Sequence, residues 1–319
     1  MLTIRKVLFP TDFSKCSEQA LLHGVALAEQ NGAELHVVHV LVPFEYNPET
    51  MSKMRPTMDH VQEELERHAA EQLQGQVGRV SVRLAVEQHV LRGISVAPVL
   101  IEYAAEHDMD LIVMGTHGRR SVARLFLGSV AEEIVRHSPC PVLTVREDHT
   151  ATPPGSVKTI LLPIDFSEHS KNAVSHAKHL AAAYGARLLL FHVVEETIHP
   201  SFYVTGQTTM AAWFSEIREV CQREMMKILE ASPGPTVAAE LHIVEGGAAY
   251  QIIEFAEAQS VDLIVIPTHG LTGIERYLLG SVAEKVIRGV RCPVFTLKSF
   301  GKSLIPRPAS ESTGSVLVF

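Results

Sequence analysis

The segment Gly115-Thr-His-Gly118, followed after nine residues by Gly128-Ser129, decides how the rest of the chain is organised. Before it comes Asp110-Leu-Ile-Val-Met114, a short apolar run that predicts a strand buried on both faces of a parallel sheet. After it comes Ser129-Val-Ala-Glu132, a Ser-x-x-Glu capping box that predicts a helix reaching about His137. The predicted order is therefore strand, glycine-bounded loop and helix.

A loop of this kind suits an anionic ligand. Glycine lets the backbone adopt positive φ and lets a ligand approach closely, and the N–H groups that open a helix attract negative charge. We therefore expect a phosphate chain between Gly118 and Ser129, with the Ser129 hydroxyl capping the helix while its N–H faces the anion. The alternative is that these glycines are only turn and cap residues, because glycine-rich loops are common.

Composition narrows the class of protein. The 319 residues suggest two domains, and 46% hydrophobic with 20% charged residues is ordinary globular composition. A net charge of −8 argues against binding to nucleic acid or to an anionic membrane surface. No apolar run approaches the roughly 18 residues of a membrane helix. The first ten residues break at Pro10 and predict a strand rather than a signal peptide.

Cysteine and histidine usage points to a cytoplasmic protein without a resident metal. The four cysteines have no CxxC spacing, so we expect reduced thiols and a cytoplasmic location. The 17 histidines form no HExxH motif and no Cys/His finger, so we expect no structural metal site.

The chain contains an internal sequence repeat. Phe9-Pro-Thr-Asp12-Phe-Ser14 reappears as Leu162-Pro-Ile-Asp165-Phe-Ser167, at an offset of 153 residues. The glycine segment reappears at an offset of 152, which indicates a duplicated domain rather than a short-period solenoid. We assign domain 1 to residues 1–147, a linker to 148–155, domain 2 to 156–298 and a tail to 299–319, most of which we expect to be disordered.

Each copy alternates strands with helices. Five strands per copy predict a doubly wound parallel sheet of order 3-2-1-4-5 with right-handed crossovers and helices on both faces. Ser14 is predicted to cap the first helix, and Ser167 its counterpart. Residues 43–57 carry three prolines and are predicted to form a loop, followed by a helix at about 58–74.

The strand order places two candidate binding elements together. Ligands of open α/β sheets bind beyond the carboxyl ends of the strands, where the strand order reverses. Asp12 follows the first strand and the Gly115 loop follows the fourth, so both should line one crevice. The Asp12 carboxylate suits nucleoside hydroxyls or amines. The alternative for Asp12 is a loop residue that accepts hydrogen bonds from nearby backbone.

These motifs together resemble the universal stress protein family. Gly-x-x-Gly-(nine residues)-Gly-Ser is accompanied by Pro-Thr-Asp-Phe-Ser at the first strand and by Pro-Cys-Pro-Val at the last, and the resemblance covers 1–147 and 156–298. It implies a tandem protein with two Rossmann-like domains, each a five-stranded parallel sheet. It also implies ATP in the crevice, usually with Mg²⁺ or Mn²⁺.

The same resemblance assigns roles to individual residues. Asp12 and the backbone of Val40 would meet the nucleoside, and Gly115 would lie near the ribose. The phosphates would be held by Gly118, Gly128, Ser129 and Val130. The matching residues of domain 2 are Asp165, Val193, Gly270, Gly280, Ser281 and Val282.

Domain 2 departs from the pattern where Pro267 replaces the first glycine. Proline has no N–H, fixes φ and carries a ring into space that a ligand would need. We therefore expect domain 1 to bind ATP more tightly than domain 2. For the loop histidines His117 and His269, a surface position is favoured over a titrating or catalytic role. The matched Arg124 and Arg276 either meet phosphate or pack the loop through a salt bridge.

Three functions from different classes follow. The first is an ATP-binding stress-response or regulatory protein with no catalytic residues. The second is a slow ATPase or ATP-dependent transferase, although the chain has no Gly-x-x-x-x-Gly-Lys-[Ser/Thr] loop and no kinase motif set. The third is a scaffold that binds no nucleotide. The resemblance also implies an internal pseudo-dimer of the two domains through their last strands, and a further homodimer of the whole chain is plausible.

Overall fold

The structure is a computed structural model that describes residues 2–42, 48–78, 84–117, 127–147, 156–195, 210–268, 279–298 and 301–305. The strands are β1 Lys6–Pro10, β2 Glu34–Leu41, β3 Val86–Arg92, β4 Leu111–Gly115, β5 Val142–Val145, β6 Thr159–Pro163, β7 Arg187–Val194, β8 Ala239–Glu245, β9 Leu263–Pro267 and β10 Val294–Leu297. The helices are α1 Lys15–Asn31, α2 Pro48–Val77, α3 Val96–Glu106, α4 Ser129–His137, α5 Glu168–Tyr184, α6 Met210–Ala231, α7 Ala248–Ala258 and α8 Ser281–Gly289.

The strands of both domains form one sheet. Its order is β3-β2-β1-β4-β5-β10-β9-β6-β7-β8, so each domain has the predicted order 3-2-1-4-5. Within each domain every pair of neighbouring strands is parallel. Parallel strands need a crossover connection, and a helix provides it here. The predicted fold class is confirmed.

The sheet lies between two layers of helices. Val7 and Phe9 of β1 belong to a core cluster shared with α1 and α5, whereas Leu8 points to the opposite face and packs with residues of α3 and α4. Because both faces are covered, the strands are nearly continuous apolar runs, as buried parallel strands are. Because helices cover both faces of the sheet, a binding site has room only at the carboxyl ends of the strands.

Serine side chains begin the first helix of each domain. The Ser14 hydroxyl accepts a hydrogen bond from Ser17 N–H over 3.2 Å, and Ser167 accepts one from Ser170 N–H over 3.2 Å. Both helices end at a glycine in the left-handed region, Gly32 with φ of 61° in α1 and its counterpart in α5. The prediction that these serines act as helix caps is confirmed.

The two domains meet through their last strands. β5 and β10 pair antiparallel, with Leu143 opposite Phe295. Both apolar clusters run across this junction. The Arg288 guanidinium in α8 also lies 3.1 Å from a carboxylate oxygen of Glu132 in α4, which adds an ion pair between the domains.

Two expectations about the chain are corrected. The helix expected at about 58–74 already begins at Pro48. Proline at the first helical position loses nothing, because its missing N–H would have had no partner there. Pro56 lies inside this helix, where the sequence had predicted a loop. Residues 43–47 and the linker at 148–155 lie outside the described residues.

The start of the tail is ordered against domain 1. Leu304 is fully buried, and its carbonyl oxygen accepts a hydrogen bond from Thr3 N–H over 2.8 Å. The Lys302 ammonium lies 2.8 Å from an Asp108 carboxylate oxygen and 2.7 Å from one of Asp110. Residues 301–305 are thus an ordered part of the tail, and residues 306–319, on which the expectation of disorder mainly falls, lie outside the described part of the chain.

No helix in the described part of the chain combines the length and the apolar character that crossing a membrane requires.

Candidate functional site

The predicted site residues of domain 1 gather at one edge of the sheet. β1 lies between β2 and β4, with Val7 opposite Leu111. Helix α1, which follows β1, packs on one face of the sheet, and helix α3, which precedes β4, packs on the other. The strand order therefore reverses between β1 and β4. Asp12, Val40 and Gly115 all lie at the carboxyl ends of these three strands.

Asp12 is held in a tight turn. The Ser14 N–H donates to Asp12 Oδ1 over 3.1 Å, and the Phe13 N–H donates to Thr11 Oγ1 over 3.0 Å. Phe13 has φ of 62°, a conformation that few residues other than glycine adopt. The backbone bond that we weighed as the alternative for Asp12 is therefore present, and it fixes the direction of the half-buried carboxylate.

Asp165 has the same setting in domain 2. The Ser167 N–H donates to Asp165 Oδ1 over 3.0 Å, the Ser167 hydroxyl lies 2.6 Å from the same oxygen, and Phe166 has φ of 63°. The residue directly after the aspartate has positive φ in both copies, so this strained conformation is a constant part of the turn.

A histidine supports this turn, and its role was missed from the sequence. His39 Nδ1 lies 2.7 Å from the Thr11 carbonyl oxygen, and its ring centroid is 4.6 Å from that of Phe13. In domain 2, His192 Nδ1 lies 2.7 Å from the Ile164 carbonyl oxygen. The repetition of His-Val at an offset of 153 residues was the available signal.

The same two histidines fix the strand that carries the predicted nucleoside contacts. Each precedes one of them, Val40 in domain 1 and Val193 in domain 2. Burial lowers the pKa of His192, which keeps this ring neutral and suited to a fixed hydrogen bond with a carbonyl oxygen.

Gly115 is required by close packing at the end of β4. A Cβ at this position would lie 2.9 Å from Cys16 Sγ and 3.1 Å from the Cys16 carbonyl carbon. Helix α1 therefore approaches the strand where any side chain would collide with it. The proposed position of Gly115 near a ribose stays a prediction.

The capping box predicted at Ser129 is wrong, because the helix cap is Gly128. The Gly128 carbonyl oxygen accepts the first helical bond from Glu132 N–H over 2.9 Å, and Gly128 N–H donates to the Thr116 carbonyl oxygen over 2.8 Å. The Glu132 carboxylate turns instead to Arg136, at 2.8 Å, and to Arg288. A guanidinium is a stronger partner for a carboxylate than a cap N–H.

The glycine cap supplies no side-chain hydrogen bond to the start of α4. Glycine has no side chain to bond the first N–H groups of the helix, which lie before the first intrahelical hydrogen bond. Ser129 is exposed as the first helical residue, and Val130 follows it. Helix α1, by contrast, is closed by its serine. The N-terminus of α4 therefore has the hydrogen-bond donors that an anion needs.

Domain 2 repeats this arrangement. Gly280 caps α8, and its N–H donates to the Thr268 carbonyl oxygen over 2.8 Å, as at Gly128. Ser281 is exposed and Val282 is half-buried. Pro267 ends β9 opposite Leu297, so the substitution leaves the strand pairing intact. The remaining predicted residues, Gly118 and Gly270, lie outside the described residues, as do His269, Arg124 and Arg276.

These features define a duplicated, doubly wound α/β protein with one open, glycine-capped helix at the switch point of each domain. The family model described as universal stress protein family matches residues 3–146 and 156–298. The chain belongs to the universal stress protein family.

Individual relatives agree with this assignment. A universal stress protein of Methanocaldococcus jannaschii is 35% identical over 44% of this chain and 82% of its own length. One of Mycolicibacterium smegmatis is 27% identical over 92% of this chain and 96% of its own length. The solved structure of a universal stress protein from Archaeoglobus fulgidus matches with a TM-score of 0.59 at 21% identity, covering 93% of this chain and 97% of that one, which supports the tandem fold.

Proposed function

We propose that this chain is an ATP-binding stress-response or regulatory protein that holds its nucleotide mainly in domain 1. The observation that carries the proposal is the glycine-capped N-terminus of α4, which lies at the same edge of the sheet as the carboxylate of Asp12. The N-terminus of α4 would bind the phosphates, and the Asp12 carboxylate would bind the hydroxyl groups of the nucleoside.

The two ends of the proposed pocket suit different parts of ATP. The N–H groups of Ser129 and Val130, with Gly118 and Gly128, would hold the phosphate chain together with a Mg²⁺ or Mn²⁺ that comes with the nucleotide. Asp12 and the backbone of Val40 would orient the nucleoside. Gly115 would lie near the ribose.

Domain 2 would bind the nucleotide more weakly. Asp165, Val193, Gly280, Ser281 and Val282 keep the same places, so most of the phosphate cradle is duplicated. Pro267 adds a ring and removes an N–H at the entrance. We therefore expect one tight site per chain.

The assembly and location that we propose follow from the same features. The antiparallel pairing of β5 with β10 supports an internal pseudo-dimer of the two domains, and a homodimer of the whole chain remains a proposal. All four cysteines lie in described segments and none forms a disulfide, which supports a reducing compartment such as the cytoplasm.

The decisive experiment is calorimetric titration of the full chain with MgATP, after mass spectrometry of any nucleotide retained through purification. We expect one tight site. Ser129→Glu should weaken it at least about tenfold, because a carboxylate at the first helical position favours the helix but repels a triphosphate. Ser281→Glu is the matched control and should leave the tight site unchanged.

A variant of Asp12 tests the nucleoside end separately. Asp12→Asn keeps the acceptor for the Ser14 N–H and removes the charge, so weaker ATP binding without loss of fold is expected. Two equal tight sites would refute the preference for domain 1. No binding at millimolar MgATP would refute the nucleotide proposal itself.

A further inference from the structure

A cluster of metal-ligating side chains lies away from the nucleotide edge of domain 1. His36 is near the amino end of β2, and on the edge strand β3 Glu87 is near the amino end and His89 is in the middle. Glu87 Oε2 lies 3.1 Å from His89 Nε2 and 3.7 Å from His36 Nδ1. One ligand atom from each of the three residues lies within 4.8 Å of the other two.

These distances fit a small transition-metal ion. Zn²⁺ binds imidazole nitrogen and carboxylate oxygen at about 2.0–2.2 Å, so its tetrahedral ligands stand about 3.4 Å apart. Because His36 Nδ1 lies 2.7 Å from the Tyr103 hydroxyl, the ligand atom of this ring would be Nε2, and the Glu87 carboxylate would turn towards it to bind the same ion. Two histidines and one glutamate are also a ligand set that zinc uses when its fourth position is open.

His36 is an unusual residue to bury without a ligand. Its side chain is only 2% exposed, and its Nε2 atom makes no hydrogen bond within the described part of the chain. That atom lies 3.4 Å from a Glu34 carboxylate oxygen. A buried polar atom without a hydrogen bond needs an explanation, and a bound ion provides one.

The charges around His36 favour a cation. The carboxylates of Glu34 and Glu87 both face it, and among the described residues neither forms an ion pair with lysine or arginine. Two carboxylates held together repel each other unless a positive charge lies between them. Glu87 is half exposed at the edge of the sheet, which gives an ion a path from solvent.

Helix α3 supplies the outer support that metal-binding histidines require. The Tyr103 hydroxyl lies 2.7 Å from His36 Nδ1, and the Tyr103 ring stacks on His107 with centroids 3.9 Å apart. Such partners fix the ring orientation of a ligating histidine.

Domain 2 has lost this arrangement. Arg187 and Leu189 occupy the places of Glu34 and His36, and the Arg187 guanidinium lies 3.4 Å from Glu240, the counterpart of Glu87. Glu240 and His242 match Glu87 and His89, so among these four positions the two domains differ only at those of Glu34 and His36 on the inner strand. The chain thus contains its own negative control.

We propose that domain 1 binds one divalent transition-metal ion of the zinc class through His36, Glu87 and His89, with Glu34 beside the fourth position and Tyr103 as a positioning residue. The site is separate from the glycine-capped helix and does not depend on nucleotide. It would tie the edge strand β3 to β2 and α3.

The test is titration of the metal-stripped full chain with ZnCl₂, without nucleotide, together with the visible absorption spectrum after addition of CoCl₂. Wild type should bind one ion per chain with a tetrahedral cobalt spectrum. His36→Leu, which copies domain 2, and His89→Ala should each weaken binding at least about tenfold and remove the spectrum. Tyr103→Phe should weaken binding about tenfold while keeping the stoichiometry.

Matched variants of domain 2 make the result specific. His242→Ala should bind zinc like wild type, whereas the double variant Arg187→Glu with Leu189→His should add a second ion per chain. The proposal is overturned if wild type binds no zinc, or if His89→Ala and His242→Ala behave alike. Because His89 is on the exposed edge strand, its variant keeps the test valid even if His36→Leu does not fold.

Discussion

The two domains keep the contacts that shape the crevice almost unchanged. His39 lies 2.7 Å from the Thr11 carbonyl oxygen in domain 1, and His192 lies 2.7 Å from the Ile164 carbonyl oxygen in domain 2. The turn after β1 and the turn after β6 share the same positive φ, and α4 and α8 share glycine caps. These contacts hold the backbone of the turns and helix starts in the same conformation in both domains.

The domains differ at groups that would touch a ligand. Gly115 of domain 1 corresponds to Pro267 of domain 2, and His36 corresponds to Leu189. Neither change disturbs the strand pairing of β9 or β7. The two domains therefore share an architecture and differ at positions where we propose ligands. The predictions below test whether that division holds.

The largest effect is expected at the junction of the two domains. Phe295 is 1% exposed and Leu143 is 4% exposed, and the two residues lie opposite each other across β5 and β10. Because the core runs through this pair, Phe295→Ala should lower the free energy of unfolding by about 3–5 kcal/mol and Leu143→Ala by about 2–5 kcal/mol. Urea unfolding should show one cooperative transition that shifts in both variants. Two separate transitions, only one of which responds to each variant, would mean that the domains fold independently.

A buried lysine should give the junction a distinctive pH dependence. Lys298 donates to the Val135 carbonyl oxygen of domain 1, and its domain 1 counterpart Arg146 donates to carbonyl oxygens of domain 2. Burial lowers the pKa of Lys298 from 10.5 to about 8. Below pH 8 the lysine is charged in both the folded and the unfolded state.

Between about pH 8 and 10.5 the folded state releases this proton first, so the free energy of unfolding should rise with pH by up to about 3 kcal/mol. The measurement is the difference between wild type and Lys298→Met across this range. Taking the difference cancels Cys292, whose thiol has a pKa raised to about 12 by burial and acts in the opposite direction. Cys140, whose pKa burial also raises to about 12, interacts with Lys298, so the same comparison is made in a Cys140→Ala background. A difference that does not change with pH would contradict the shifted pKa.

Most of the fold could be predicted from the sequence, because the signals are local and repeated. The apolar run at 110–114 predicts a buried strand, Ser14 predicts a helix start, and the constant offset between the copies predicts two equal domains. The start of α2 could not be predicted, because proline at a first helical position and proline in a loop have the same residue pattern. The docking of Leu304 depends on a surface of domain 1 that no local pattern reveals.

The site was only partly predictable. The positions of Asp12 and Gly128 follow from motif and topology, but the cap at Gly128 rather than Ser129 depends on where Glu132 finds its guanidinium partners. The His36 cluster was missed, because its residues come from two strands that are distant in the chain. Only the Glu87-x-His89 alternation offered a local hint, and short alternations of this kind are common on edge strands.

The smallest effect tests the substitution that separates the two crevices. Gly115→Ala places a methyl group 2.9 Å from Cys16 Sγ, so we expect a loss of about 1–3 kcal/mol in the free energy of unfolding. Pro267→Ala, the matched change, restores chain flexibility without a collision and should cost about 0.5–1 kcal/mol. Urea midpoints measured on both variants give the comparison. Equal losses would show that α1 and α5 approach their strands alike, and Pro267 would then have to be explained by something other than a wider gap at the end of β9.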